Sequence, residues 1–377
     1  MRYLTLVTIM ALASAAPLTV RGSTAMAAAP AASTSPAQDP GALPLEPGEG
    51  RKVAETLANE LVRNFVLPQN AKDYAAMLRA NAAAGKYDSG TRAELATLMT
   101  NDLLAVHKDG HLHVGVTRPE ETGPGASAGV PKKWPALIQS SKWIAPGIAY
   151  IRPTAFMSTD EEVAAFKTFM EEHKNAKTMI FDLRNHHGGR LGEMDVIFPY
   201  LFATRTPLVA MEISRAIYDE NGSPLADSPT LEKVIGPDKV TSTHFAIPGP
   251  ATPLRKAQVL LLTSNATASA GEHFTLAMKS TGRATLIGEA TAGANHFGGP
   301  GDLTDHFGVW MPVGRTYDLK TKQDWEGAGI APDIAVDPKQ ALVVALEKAG
   351  LSHAEAVRLD AGEVPAEPVH RDKVAAR

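Results

Sequence analysis

Val259-Leu-Leu-Leu-Thr263 is the most restrictive stretch of the chain. A short run with no polar face is consistent with a strand buried on both sides. Helical periodicity then resumes from about Ala270 to Thr281. Thr178-Met-Ile-Phe181 has the same texture and ends in Asp182. Around these two runs the chain alternates from Trp143 onward. Ile148-Ala-Tyr-Ile151, Leu208 to Ile213, Thr285-Leu-Ile-Gly288 and Phe307-Gly-Val-Trp310 read as strands. Ser158-x-x-Glu161 reads as the cap of a helix carrying Val163, Phe166, Phe169 and Met170, and Ile197–Phe202 and Ala341–Lys348 read as helical. That order predicts an α/β core.

Upstream the period changes. Val53, Leu57, Leu61 and Phe65 recur at helical spacing until Pro68, and Tyr74, Met77 and Leu78 mark a second helix ending near Gly85. Thr91-Arg-Ala-Glu94 is a capping box, with Leu95, Leu98, Met99 and Leu103 behind it. These three short helices predict a small N-terminal helical bundle. Arg118 to Pro135 is full of Gly and Pro and reads as a loop.

At the start, Arg2 precedes an apolar run from Tyr3 to Pro17, about the length of a signal-peptide core and shorter than the roughly 18 residues of a membrane span. The expected organisation is a signal peptide over 1–29, a disordered linker over 30–49 and the helical bundle over 50–116. A loop follows over 117–142, then a core over 143–350 and a C-terminal tail over 351–377. A chain so organised is expected in the periplasm or outside the cell, with no stable membrane insertion once the signal is removed. None of its 377 residues is cysteine, which removes thiol nucleophiles, disulfides and thiolate metal sites. A net charge of −4 without charge runs gives no reason to expect nucleic acid as a partner.

Four loops carry residues suited to chemistry. Asp182-Leu-Arg-Asn-His-His-Gly188-Gly189 follows a buried strand, and its paired glycines would let backbone N–H groups approach a ligand oxygen, or simply make a tight turn. Thr263-Ser-Asn-Ala-Thr-Ala-Ser269-Ala270-Gly271-Glu272 runs from strand to helix. A serine there sits at the positive end of the helix dipole, as a nucleophile or as an ordinary N-cap. His107-Lys-Asp109-Gly110-His111-Leu-His113 offers a general base, with a metal site on His107, His111 and His113 as a rival. Asp324-Trp-Glu326-Gly-Ala-Gly-Ile-Ala-Pro332-Asp333 places a carboxylate in a Gly/Pro loop, where it could orient a histidine or stay solvated.

In this order the segments resemble the tail-specific, or C-terminal-processing, serine peptidase family. They are Asp182-Leu-Arg-x-x-x-Gly-Gly, Thr-Ala-Ser269-Ala-Gly-Glu272, Ile287-Gly-Glu-Ala-Thr-Ala-Gly293 and Glu326-Gly-x-Gly-Ile-x-Pro-Asp333. The resemblance covers about Trp143 to Leu346. The preceding helices, ending in Asp109-Gly-His111-Leu, resemble the branch related to interphotoreceptor retinoid-binding protein. The resemblance implies a ClpP/crotonase-like ββα core. Two departures matter: Ala294 stands where the Ser–Lys enzymes carry their lysine, and the interval from His113 to Trp143 leaves no room for their PDZ domain.

The tricorn-like variant of the family, with serine, histidine and glutamate, fits better. The resemblance then implies Ser269 as nucleophile, His111 as base and Glu326 as the residue that orients it. The N–H of Ala270 and that of Gly188 or Gly189 would form the oxyanion hole. The expected function is hydrolysis of peptides or unfolded protein segments through an acyl-enzyme, without metal or cofactor. The alternative is a catalytically silent binder of an apolar ligand on the same fold.

Overall fold

The computed structural model describes residues 39–117 and 137–363. The expected signal peptide, part of the linker, the Gly/Pro loop and the last dozen residues lie outside them. In chain order the elements begin with α1 (Glu49–Asn64), α2 (Pro68–Ala83), α3 (Arg92–Val106), β1 (His113–Val116), β2 (Ile138–Ala145), β3 (Ile148–Pro153) and α4 (Asp160–Glu172). They continue with β4 (Thr178–Asp182), α5 (Gly192–Leu201), β5 (Thr206–Ser214), α6 (Arg215–Asn221), β6 (Leu231–Ile235), β7 (Lys239–Ala246) and β8 (Gln258–Thr263). The last are α7 (Ala270–Ser280), β9 (Thr285–Gly288), β10 (His296–Thr304), β11 (Phe307–Asp318), β12 (Ile334–Ala335), α8 (Ala341–Lys348) and α9 (His353–Ala361).

One sheet runs β12-β9-β8-β4-β3-β2, parallel throughout except for the antiparallel edge strand β2. Both of its faces are covered, which is why its central strands are apolar without alternation. Met179, Phe181, Val259 and Leu261 pack against Phe166, Phe198 and Phe274 from α4, α5 and α7. Ile180, Leu260 and Leu262 point the other way, onto Leu342 and Leu346 of α8. The second sheet is antiparallel, β1-β11-β5-β7-β6, with β10 also paired to β11.

The helices α1 to α3 do not close a core among themselves. Leu57, Leu61, Tyr74 and Leu103 share one apolar cluster with Leu303, Phe307, Val309 and Met311 of β10 and β11. Their short strand, β1, pairs with β11. The helical segment is therefore built onto the second sheet, and the residue run from 107 to 112 is held between the two.

Three local readings change. The cap of α4 is Thr159 with Glu162, one residue later than Ser158 with Glu161. Ser158 instead takes a positive φ of 56° and gives its N–H and hydroxyl to Glu193. The segment assigned to a C-terminal tail opens with α9, capped by Ser352 and Glu355 and seated on α8 through buried Ala356. β6, β7 and β10 occupy stretches in which no strand was expected, β10 through a run of Gly-Gly-Pro-Gly. The link from β1 to β2, between Val116 and Ile138, is too short for an inserted domain of the usual size, about 50 residues or more.

Candidate active site

Ser269 stands at the N-cap of α7 with φ 53° and ψ −118°. A serine at positive φ is strained, and such strain persists only where the surroundings over-determine it. Glu272, one turn into the helix, supplies the restraint. Its buried carboxylate accepts the Ser269 N–H at 2.9 Å, the Thr291 hydroxyl at 2.6 Å and the N–H groups of Gly293 and Ala294 at 2.7 and 2.8 Å. Burial raises the Glu272 carboxyl above its ordinary value, against the pull of those donors.

The glycine loop lies directly over this turn. A Cβ at Gly188, whose φ is +106°, would come within 2.6 Å of Ser269 Cβ, so only glycine allows the approach. Gly189 is fixed by the bonds of its neighbours to Phe156: the Phe156 N–H donates to Gly188 O and the Arg190 N–H to Phe156 O. The Gly188 N–H itself reaches His186 Nδ1 at 3.2 Å. His186 is fully buried, and desolvation pushes its pKa down to about 3, so the ring is a neutral acceptor. Arg184 is structural here: its guanidinium grips Asp182 and donates to Pro338 O.

Glu326 meets the other loop. Its Oε1 accepts the Gly110 N–H at 2.7 Å, and its Oε2 accepts those of Asn295 and His296 at 2.8 and 3.1 Å. The carboxylate thus fastens the residue next to His111 to the start of β10. Asp109 adds a second fastening, accepting the His111 and Leu112 N–H groups through Oδ1 and bonding His296 Nδ1 at 2.7 Å through Oδ2. Gly110 also packs on Ala294, where an added Cβ would come within 2.9 Å of the alanine methyl. The space that a longer side chain at 294 would need is filled by this loop. Since Ala294 and Ser269 both donate to Glu272, the loops of His111 and of the serine lean on one carboxylate.

Asp109 and His296, both buried, and the half-buried Glu326 form a triplet whose ligand atoms lie within 4.8 Å of one another. It has the composition of a metal site, but His296 Nδ1 is bonded to Asp109 and both Glu326 oxygens accept backbone N–H groups, while His296 Nε2 is buried without a hydrogen-bond partner. The three histidines read as a rival metal set do not converge. His107 bonds Asp73, and His113 is exposed and stacked on Trp310.

The triplet has a pH signature. Burial, helped by the Asp109 charge, raises Glu326 to about 7. Burial alone would depress His296, but the bond to Asp109 and the charge of Glu326 outweigh it and raise the imidazole. Asp109, also buried, is held below its ordinary value by His296. A carboxyl raised in the fold stabilises below its unfolded pKa, and the contribution is lost as pH rises through the folded one. A raised histidine acts in the same direction. The triplet's share of thermal stability is therefore expected to fall between about pH 5 and 8, against the opposite slope that the depressed His186 and His273 contribute below about pH 6.5. Glu326→Gln should lose that share, read as the difference between the two melting-temperature profiles. A difference that does not change across the range would place the titration elsewhere.

Beyond geometry, kinship decides the family. The family model for peptidase family S41 matches residues 147–336, half of the chain. The chain belongs to peptidase family S41. Within S41, it is 28% identical over 194 residues to the C-terminal processing peptidase, chloroplastic, of Tetradesmus obliquus, a match covering 51% of this chain and 36% of that protein. The carboxyl-terminal-processing protease of a Picosynechococcus strain is 27% identical over 190 residues, 50% of this chain and 39% of the relative. The matches thus span well under half of the length of these curated relatives. A crystal structure from Parabacteroides merdae, solved as a candidate peptidase, superposes with a TM-score of 0.55 at 18% identity, covering 80% of this chain and 97% of that one, and shares the S41 fold.

Sequence reasoning did not single out Asp109 and His296 as partners or Glu272 as a staple. Asp109 and Glu272 stood inside quoted motifs without a role. His296 follows Asn295 just after the Gly293 motif, and nothing local sets it apart.

Proposed function

We propose that this chain is a serine peptidase in which Ser269 Oγ attacks the carbonyl carbon of a peptide bond. His111 takes the hydroxyl proton and returns it to the leaving amine, and water then hydrolyses the acyl-enzyme. Glu326 acts on this base by fixing the loop that carries it. The oxyanion would be met by the Ala270 N–H at the start of α7 and by an N–H of Gly188 or Gly189. A role for Gly188 requires its N–H to exchange His186 Nδ1 for the substrate oxygen, and the long bond to that neutral ring makes the exchange inexpensive. The observation that carries the reading is the strained Ser269 turn, pressed against Gly188 and stapled to the His111 side of the site through Glu272.

The proposed substrates are peptides or unfolded protein segments, and the names of the curated relatives, processing peptidases, support peptide-bond cleavage. No helix among the described residues is long and apolar enough to cross a membrane, and the N-terminal apolar run supports an exported enzyme of the periplasm or medium. Incubation with a denatured protein tests the function: fragments are expected, undiminished by a metal chelator, with a rate rising through the ordinary histidine range, about pH 6–7. An absence of fragments, with an apolar ligand co-purifying, would return the chain to the silent-binder alternative.

A further inference from the structure

The glycine loop runs straight into α5, whose N-cap, Leu191, offers no side-chain acceptor to the open N–H groups of the first turn. Ser158 supplies one from elsewhere in the chain. Its Oγ accepts the Gly192 N–H at 2.9 Å and donates to Glu193 Oε2 at 3.0 Å, and its N–H donates to Glu193 Oε1 at 2.7 Å. Glu193 is fully buried, and a Cβ at Gly192 would come within 2.7 Å of Ser158 Oγ, so the two turns are in close contact.

Just before Ser158, the same segment grips the loop itself. The His187 N–H donates to Thr154 O at 2.7 Å, the Phe156 N–H to Gly188 O at 2.8 Å and the Arg190 N–H to Phe156 O. A Cβ at Gly189 would come within 1.9 Å of Phe156 O, so only glycine fits there. The buried Phe156 ring also packs on His186, the acceptor of the Gly188 N–H, with ring centres 4.2 Å apart. Residues 154–158 thus hold the loop on one side and the start of its helix on the other.

The strain of this arrangement falls on Ser158, whose φ is 56°. It does not serve α4, which Thr159 and Glu162 cap. Strain of this kind persists where several contacts over-determine it, and it gathers around functional sites. Ser269 is held in the same way, at positive φ with its N–H bonded to a buried glutamate in the first turn of a helix. The glycine loop lies between the two turns, with Gly188 against Ser269 and Gly189 against Phe156.

We infer that Ser158 and Glu193 are positioning residues, which set where the Gly188 and Gly189 N–H groups stand relative to Ser269. The inference rests on the reading of Ser269 as nucleophile and of these N–H groups as oxyanion donors. Both residues act through Phe156 and the first turn of α5, so their loss shifts the donors without removing any of them. Such a shift slows the chemical step more than it weakens substrate binding.

Ser158→Gly in the full chain tests the inference. Glycine adopts positive φ freely, so the strain leaves with the hydroxyl and the melting temperature should change little. With unfolded casein as substrate, kcat should fall by about tenfold or more while KM stays within about twofold. Hydrogen exchange of the Arg190 amide, whose acceptor is Phe156 O and not Ser158, should quicken by about tenfold. Glu193→Ala should act alike, and Glu193→Gln, which keeps an acceptor for the Ser158 N–H, should restore part of the rate. Unchanged Arg190 exchange overturns the inference, and so does an unchanged kcat or one that falls only with the folded fraction. Full turnover in Ser269→Ala would instead refute the nucleophile, and the Arg190 exchange then decides by itself whether the pair holds the loop.

Discussion

Ser269→Ala is expected to lower peptide hydrolysis by about 10⁴-fold or more and to abolish labelling by a serine-directed fluorophosphonate, with the melting temperature almost unchanged. Removing the hydroxyl eliminates the proposed attacking atom but leaves the backbone at φ 53°, so alanine inherits the strain of the turn. Ser269→Gly separates the two effects. Glycine adopts positive φ without penalty, and this variant should be equally inactive yet more stable by about 1 kcal/mol. Hydrolysis assays, probe labelling and denaturant titrations on the two variants read these outcomes together. Retained turnover in Ser269→Ala would falsify the nucleophile assignment, whatever the stability data show.

Glu272→Ala should be the most damaging single change to the fold around the site. The carboxylate is fully buried and accepts four hydrogen bonds that converge from Ser269, Thr291, Gly293 and Ala294. Alanine would leave four donors facing a void that a buried water, whose oxygen accepts about two bonds, can satisfy only in part, and a loss of about 3–5 kcal/mol is expected. Activity should fall by about a hundredfold or more even where the protein stays folded, since the turn of Ser269, the proposed nucleophile, loses its anchor to the 291–294 loop on which Gly110, beside the proposed base, packs. Glu272→Gln keeps the volume and one acceptor oxygen, and should recover part of the stability but little of the activity. Urea titrations beside single-turnover rates distinguish that outcome from a merely structural role, in which rate would return with stability.

Much of the scaffold could be read along the chain because its determinants are local. The α3 capping box at Thr91 and Glu94 and the bilaterally buried β8 depend on residues within a turn or a strand of one another. Ser269 was visible because a strand, a turn and a helix follow in immediate succession. The Asp109–His296 bond was not, because its partners lie 187 residues apart and His296 opens a strand of Gly-Gly-Pro-Gly that matches neither period. That strand exists because β11 supplies its pairing, a tertiary effect that overrides weak β-propensity. α9 was missed for the opposite reason: the Ser352–Glu355 signal was present, but only Ala356 of the helix is fully buried, so its apolar stripe is faint. The one-residue error at α4 turns on two adjacent hydroxyls, each followed three residues later by a glutamate, and only the backbone geometry chooses between them.

The bond between Gly110 and Glu326 spans 216 residues of sequence. Contacts of such separation are closed late in folding, because the entropy of a long loop must be overcome before they contribute. The proposed base is therefore made first in synthesis and its anchor nearly last, with the serine between them. A fragment that ends before Glu326 lacks the bond that fixes Gly110 beside the proposed base, and on the proposed reading it holds the serine and the histidine without the contact that assembles them.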